Sequence, residues 1–213
     1  MVREPFTRGE HTYGIMAALV EFGQTTRGFI YVPGRSRVTA ANQTPSGEFM
    51  IVARRGQGCF LNGHQVLLEI RPRLLSAARV SFACRNQHKG FEAILAEAVP
   101  GYLPRCNAAF DYATLLRGPL DAIFYSEGST PTGEGRCPPW DHAAGVLSVQ
   151  EAGGYAALPY RPDGVAYAPR RRYHQLLIAS NQELWSRMYD HITAVVPDLT
   201  RPPTEDRERL KLA

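Results

Sequence analysis

The feature that most constrains the fold is a change of pattern along the 213-residue chain. The first third has short apolar runs separated by turns, whereas the remainder alternates strand-like segments with helical repeats. Antiparallel strands followed by alternating strands and helices indicate stacked layers within one compact unit. The sequence therefore predicts an α/β fold (α+β, layered), with a partial antiparallel β-sheet lobe at residues 1–75, an α/β lobe at 76–196 and a polar tail at 197–213.

Turn residues define the strands of the first lobe. Asn62-Gly63 lies between two apolar runs, and this is the strongest short signal for a hairpin because both residues tolerate positive φ. Phe22-Gly23-Gln24 is expected to form another turn, and residues 33–47 a loop. The predicted strands of this lobe are 13–21, 26–32, 49–53, 59–61 and 65–68.

Helical spacing of apolar residues appears only in the second lobe. The predicted helices are 89–99, 107–117, 141–152 and one beginning near residue 180. The predicted strands between them are 79–85, 121–125 and 173–179. The order Ser180-Asn181-Gln182-Glu183 has the form of a capping box, which predicts that Ser180 caps the last helix.

Charge and composition exclude several classes of protein. Lysine and arginine total 24 against 20 acidic residues, a net charge of +4 that is too small to argue for nucleic acid. The arginine run at 170–172 is interpreted as a solvated loop. No apolar run approaches the roughly 20 residues of a membrane helix. The four cysteines contain no CxxC pair, so we expect reduced thiols in a cytoplasmic protein without a zinc site.

The segment Pro-Trp-Asp-His-Ala-Ala-Gly at 139–145 is the most informative. Asp141 lies near a helix start, where a carboxylate interacts well with the helix dipole and where phosphate also binds. Ala143, Ala144 and Gly145 are small enough to let another element approach this turn closely. A plain cap on a buried helix and a phosphate site both remain open from the residues alone.

This segment, followed by Glu-Ala-Gly-Gly at 151–154, resembles the second signature of the inositol monophosphatase family. The segment 53–63 is similar to a glycine-rich hairpin of the same family, and residues 6–9 and 28–33 resemble other parts of it. The resemblance covers nearly the whole of residues 5–196. It implies a sugar-phosphatase-type αβαβα sandwich.

The resemblance also implies an activity and a site. Family members are phosphomonoesterases of inositol phosphates, sugar bisphosphates or nucleotide bisphosphates, and they use Mg²⁺ to neutralise the phosphate and activate a water. Asp141 inherits the role of a metal ligand. The candidates for the substrate or phosphate side are Trp140, His142, Ala143, Asn107, Ala108 and Glu127. A packed helix residue is the alternative interpretation of His142. The partners implied are a small phosphorylated metabolite and a second copy in a homodimer.

One part of the family pattern is absent from this sequence. The first signature, Asp-Pro-Ile/Leu-Asp-Gly-Thr, is expected just before Arg3, and the helices upstream of it are expected to be missing too. A single carboxylate binds Mg²⁺ weakly. The sequence therefore predicts a phosphomonoesterase whose activity is impaired in this chain; the alternative is a catalytically inactive remnant that binds a phosphate ligand or a partner.

Overall fold

The computed structural model describes residues 13–33, 48–68, 74–84, 101–104, 107–126, 138–159 and 175–195. Within them the first sheet is an antiparallel meander with the order β1-β2-β3-β4-β5. Its strands are β1 (Ile15–Glu21), β2 (Gln24–Val32), β3 (Phe49–Arg54), β4 (Gly58–Leu61) and β5 (His64–Val66). The predicted strands of the first lobe are confirmed to within a few residues.

Positive φ angles define two of the turns in this sheet. Asn62 and Gly63 have φ of 49° and 84°, and they join β4 to β5 as predicted. Phe22 and Gly23 have φ of 51° and 81° and join β1 to β2. A non-glycine residue rarely adopts such angles, and Phe22 does so at a fully exposed tip.

The second sheet is mixed and has the order β7-β6-β8-β10-β9. Its strands are β6 (Arg79–Cys84), β7 (Gly101–Pro104), β8 (Ala122–Ser126), β9 (Tyr155–Ala157) and β10 (Gln175–Ala179). β6 pairs in parallel with both β7 and β8, whereas β10 is antiparallel to β8 and β9. The strands β7 and β9 were not predicted, because segments of four and three residues depend on their neighbours rather than on a pattern of their own.

Three helices lie in the described residues: α1 (Ala108–Leu116), α2 (Pro139–Glu151) and α3 (Gln182–Val195). The larger apolar core joins inward residues of both sheets to α1 and α2, so these helices form a layer between the sheets. A second core packs α3 against the opposite face of the second sheet. The layers are therefore sheet, helices, sheet and helix. The predicted helix at 89–99 and the polar tail lie outside the described residues.

The larger core includes Ile51 and Leu176, which lie on opposite sides of the predicted boundary at residue 75. The division into two lobes therefore stays a prediction, and the described core is shared between them. A short 3-10 helix (Leu75–Ala77) lies at this boundary and leads into β6.

The prediction that Ser180 caps the last helix is wrong. The side-chain oxygen of Asn181 accepts a hydrogen bond from Leu184 N at 2.9 Å, and α3 begins at Gln182. Ser180 instead donates its backbone N–H to Asp121 O at 2.8 Å. Because that bond continues the pairing of β10 with its neighbour, the sheet extends to Ser180 and moves the cap one residue later.

The first sheet has one buried and one exposed face. In β3, Phe49, Ile51 and Ala53 point into the core, whereas the alternating residues are exposed. The exposed face contains large apolar side chains on three strands, at Ile15, Leu19, Met50, Val52 and Phe60. Helices in the described part of the chain therefore cover this sheet on one face. Among the same residues, no helix is both long and apolar enough to cross a membrane.

Candidate active site

The topology brings the starts of α1 and α2 to the same edge of the second sheet. β6, β7 and β8 are parallel, and their carboxyl ends lie together because Cys84 pairs with Ser126 and Phe82 with Pro104. Since α1 follows β7 and α2 follows β8, both helices begin beyond these carboxyl ends. Ligands bind at this edge of α/β sheets, and a helix start is favourable for an anion.

The first turn of α2 presents Trp140 and Asp141. The cap residue is Pro138, which makes no side-chain cap hydrogen bond, and its carbonyl accepts from Asp141 N at 3.0 Å. Asp141 is therefore the third residue of the helix and not a plain cap, and the helix begins two residues earlier than predicted. Its side chain is half-buried, and the neighbouring Trp140 is 66% exposed. An acidic group here interacts favourably with the helix dipole.

The start of α1 is closed by Asn107. Its side-chain oxygen accepts a hydrogen bond from Phe110 N at 3.0 Å, which identifies Asn107 as the N-cap. Ala108, the first residue of the helix, is buried. Both residues are predicted to lie on the substrate side, and both lie at the same sheet edge as Asp141. Glu127, the remaining candidate, lies outside the described residues.

His142 and Ala143 point away from solvent, towards the core. His142 is only 2% exposed, and its Nδ1 forms a hydrogen bond with the Tyr112 hydroxyl at 3.2 Å. Ala143 is 3% exposed. Successive helix residues are about 100° apart, so the Asp141 side chain stays partly exposed while the next two side chains pack into the core. This is the packed position that the sequence analysis gave as its alternative for His142.

Three residues outside the predicted site, Asp111, Tyr112 and Tyr125, form a buried group with His142 beneath α2. The Tyr125 hydroxyl, at the end of β8, donates to Asp111 Oδ2 at 3.1 Å. The Tyr125 ring also lies 4.4 Å from the His142 ring, centroid to centroid, in a T-shaped arrangement. We call this group the buried polar cluster; its members are Asp111, Tyr112, Tyr125 and His142. The available signal was an acidic residue inside an otherwise apolar helix.

Glycine residues allow these elements to approach closely. A Cβ atom on Gly145 of α2 would overlap the Tyr112 ring of α1, and a Cβ on Gly28 of β2 would lie 2.9 Å from Ala144 O. Both contacts need the absence of a side chain. The prediction that the small residues at 143–145 admit a neighbouring element is confirmed.

Comparison with known proteins decides the family. Residues 4–197 match the family model described as the inositol monophosphatase family. The chain belongs to this family. It is 31% identical over 154 residues to the Nus factor SuhB of Xylella fastidiosa, covering 70% of this chain and 49% of that protein. It is 26% identical over 159 residues to an inositol-1-monophosphatase of Mesorhizobium japonicum, covering 71% and 52%. The chain thus spans about half the length of the curated relatives it matches.

A solved member of the inositol monophosphatase family shows the same architecture. The IMPase TM1415 of Thermotoga maritima superposes with a TM-score of 0.68 at 21% identity, covering 92% of this chain and 66% of that one. The expected sugar-phosphatase fold is therefore confirmed. The described layers of sheet, helices, sheet and helix correspond to four consecutive layers of the αβαβα sandwich that the sequence analysis expected.

Asp141 is the candidate magnesium ligand among the described residues. Within the described ranges, no group of three or more His, Cys, Asp or Glu side chains is arranged to hold a metal ion. Mg²⁺ requires near-octahedral oxygen ligation and is commonly held by one or two carboxylates together with water and substrate phosphate. Asp141, a half-buried carboxylate in the first turn of α2, has the chemistry of one such ligand.

Proposed function

We propose that this chain forms the phosphate-facing part of a Mg²⁺-dependent phosphomonoesterase that hydrolyses a small sugar, inositol or nucleotide phosphate. The observation that supports it is the location of Asp141, in the first turn of α2 beyond the carboxyl ends of three parallel strands. Membership of the inositol monophosphatase family supports the reaction class. The proposal places the protein in the cytoplasm, with a homodimer as its expected assembly.

The arrangement suits a phosphate ester for two physical reasons. Two helices begin at the site, and each contributes backbone N–H groups and the positive end of its dipole towards an anion. The exposed indole of Trp140 lies beside Asp141, where it can contact the organic part of a substrate. Mg²⁺, when bound, neutralises phosphate charge and lowers the pKa of a bound water. Because a single carboxylate binds Mg²⁺ weakly, and Asp141 is the one candidate ligand, we expect weak activity from the chain as given.

The test measures phosphate release from a panel of phosphomonoesters with and without Mg²⁺. Asp141→Asn keeps the size of the side chain and removes its charge, so we expect release to fall by about 100-fold or more. Asp190→Asn is the matched control, because Asp190 is exposed on α3 on the opposite side of the second sheet. Equal release from wild type and Asp141→Asn would refute Asp141 as a functional residue.

A second candidate function is binding of a phosphate ligand or a protein partner without turnover. The observation that favours it is that the described residues contain no group of three or more His, Cys, Asp or Glu side chains arranged to hold a metal ion. One of the relatives is named a Nus factor. Calorimetry with inorganic phosphate, sulfate and the same esters separates the candidates. Binding without hydrolysis would support the second function, and Mg²⁺-dependent hydrolysis that is lost in Asp141→Asn would support the first.

A further inference from the structure

The first turn of α2 is held in place by an unusual means. Helix starts are commonly fixed by a Ser, Thr, Asp or Asn side chain at the cap. Here the cap is Pro138, which has no hydrogen-bonding side chain, and no side-chain cap bond forms. His142, the residue after Asp141, instead holds this turn through its contacts in the core, with Tyr112 of α1 and Tyr125 of β8. The orientation of this turn therefore depends on the buried polar cluster.

The contacts of the cluster are specific and connect three elements. Tyr125 donates to Asp111 at 3.1 Å, and the Tyr112 hydroxyl lies 3.2 Å from His142 Nδ1. The rings of Tyr112 and Tyr125 are 6.3 Å apart, and those of Tyr112 and His142 are 6.1 Å apart. Each member is at most 4% exposed. The cluster thus joins the end of β8, the first half of α1 and the start of α2 without access to solvent.

Packing alone does not explain why these side chains are polar. Burying a carboxyl group, an imidazole and two hydroxyls has a desolvation cost that apolar side chains of similar shape would avoid. A fully hydrogen-bonded polar group in a core restricts the geometry to the arrangement that satisfies every member. The position of His142, directly after Asp141, makes that restriction act on the residue that faces the site.

We propose that the members of the buried polar cluster are positioning residues, which set the orientation of the first turn of α2 and hence of the Asp141 side chain. This proposal rests on the proposed function, because a phosphate site requires Asp141 in a fixed orientation. The structural effect can be measured without turnover: loss of a hydrogen bond in the buried polar cluster reorients residues 140 and 141 in a protein that remains folded.

The chain contains a reporter for this effect. It has two tryptophans, of which Trp140 lies in the turn concerned and Trp185 lies in the second core, stacked on Tyr189. Labelling with 5-fluorotryptophan gives one fluorine NMR signal from each, and Trp140→Phe assigns them. Tyr112→Phe and Tyr125→Phe each remove one hydroxyl and keep the ring. We expect both to shift, broaden or split the Trp140 signal and to leave the Trp185 signal unchanged.

Two further variants test whether the hydrogen bond itself matters. The amide of His142→Asn can still exchange a hydrogen bond with Tyr112, whereas His142→Leu cannot. We expect His142→Asn to keep the Trp140 signal close to its wild-type position, and His142→Leu to lose that signal. Tyr31→Phe is the matched control, because Tyr31 lies on the outward face of β2 and its hydroxyl bonds to Glu48. It should leave both signals in place.

The outcomes separate this inference from the proposed function. If Mg²⁺-dependent release is measurable, the cluster variants should lower kcat by about tenfold or more with little change in KM, because misplacement of a reacting group by 1 Å can cost about 100-fold. If wild type releases no phosphate, the proposed activity fails and the fluorine signals still decide the inference. An unchanged Trp140 signal in Tyr112→Phe, Tyr125→Phe and His142→Leu, with only thermal stability lowered, would overturn it.

Discussion

Gly145→Ala tests the close contact between α1 and α2 most directly. Gly145 lies inside α2, and a Cβ there would come closer than 3.0 Å to the Cγ, Cδ2 and Cε2 atoms of the Tyr112 ring. Carbon atoms in contact prefer about 3.5–4.0 Å. The ring cannot turn aside easily, because Tyr112 is fully buried and bonded to His142. Either the helices separate or the ring leaves its place.

Two opposing effects determine the magnitude. Alanine is favoured over glycine inside a helix by about 1 kcal/mol. Overpacking a buried site costs about 1–3 kcal/mol, and three overlapping ring atoms place this site at the upper end. We therefore expect a net loss of about 2 kcal/mol in the free energy of unfolding. Urea unfolding followed by the fluorescence of buried Trp185 measures it. Ser186→Ala, at an exposed position of α3, is the control and should change stability little.

A double-mutant cycle tests whether the loss of stability comes from contact with the Tyr112 ring. In a Tyr112→Ala background the ring is gone, so Gly145→Ala should become stabilising by about the helix-propensity difference of 1 kcal/mol. The coupling between the two sites is then about 3 kcal/mol, which is large for a pair in direct contact. If Gly145→Ala is as stable as wild type with Tyr112 in place, the close approach of α1 and α2 is wrong.

Three further predictions concern the contacts of the first sheet. Gly28→Ala would place a Cβ 2.9 Å from Ala144 O and 3.1 Å from Ala144 Cα, so we expect it to push α2 off the sheet and to lose about 1–3 kcal/mol in urea unfolding. The Glu151 carboxylate accepts from Gly56 N at 2.8 Å and Gly58 N at 2.9 Å, and Glu151→Ala should therefore lose about 1–3 kcal/mol by the same assay, with a smaller loss in Glu151→Gln. Burial raises the pKa of Cys59 from 9.0 to about 12, so the unfolded thiol loses its proton first and stability should fall as pH rises from 9 to 12. Cys59→Ala should flatten that part of the pH profile, and an identical profile in both proteins would contradict the raised pKa.

Local chemistry made the first sheet predictable. The hairpin between β4 and β5 follows from Asn62-Gly63, which adopt the positive φ angles that these residue types tolerate. The apolar run at 49–53 predicted the strand β3, although the run itself does not show which of its side chains are buried. In both cases the information lies within a few residues of the structure it determines, so no knowledge of the tertiary fold was needed.

The features that were predicted wrongly or missed depend on contacts between residues distant in sequence. β7 and β9 form because β6 and β10 offer them an edge, and the cap of α3 moved from Ser180 to Asn181 because Ser180 is still bonded to Asp121. Each depends on a partner distant in sequence. For the site, the sequence placed Asp141 at a helix start correctly, but it could not show that Pro138 is the cap or that His142 is held from two other elements.

α1 lies between the two sheets, and this location restricts what its polar residues can contact. Every residue of α1 is buried, so the helix has no solvent face on which a polar side chain could stay hydrated. Thr114 meets this constraint locally by donating to Phe110 O at 2.8 Å. Asp111 also accepts the hydroxyl of Tyr125, which lies in another element. A carboxyl group in a helix between two sheets therefore identifies a contact across layers, and here that contact lies directly beneath the turn that contains Asp141.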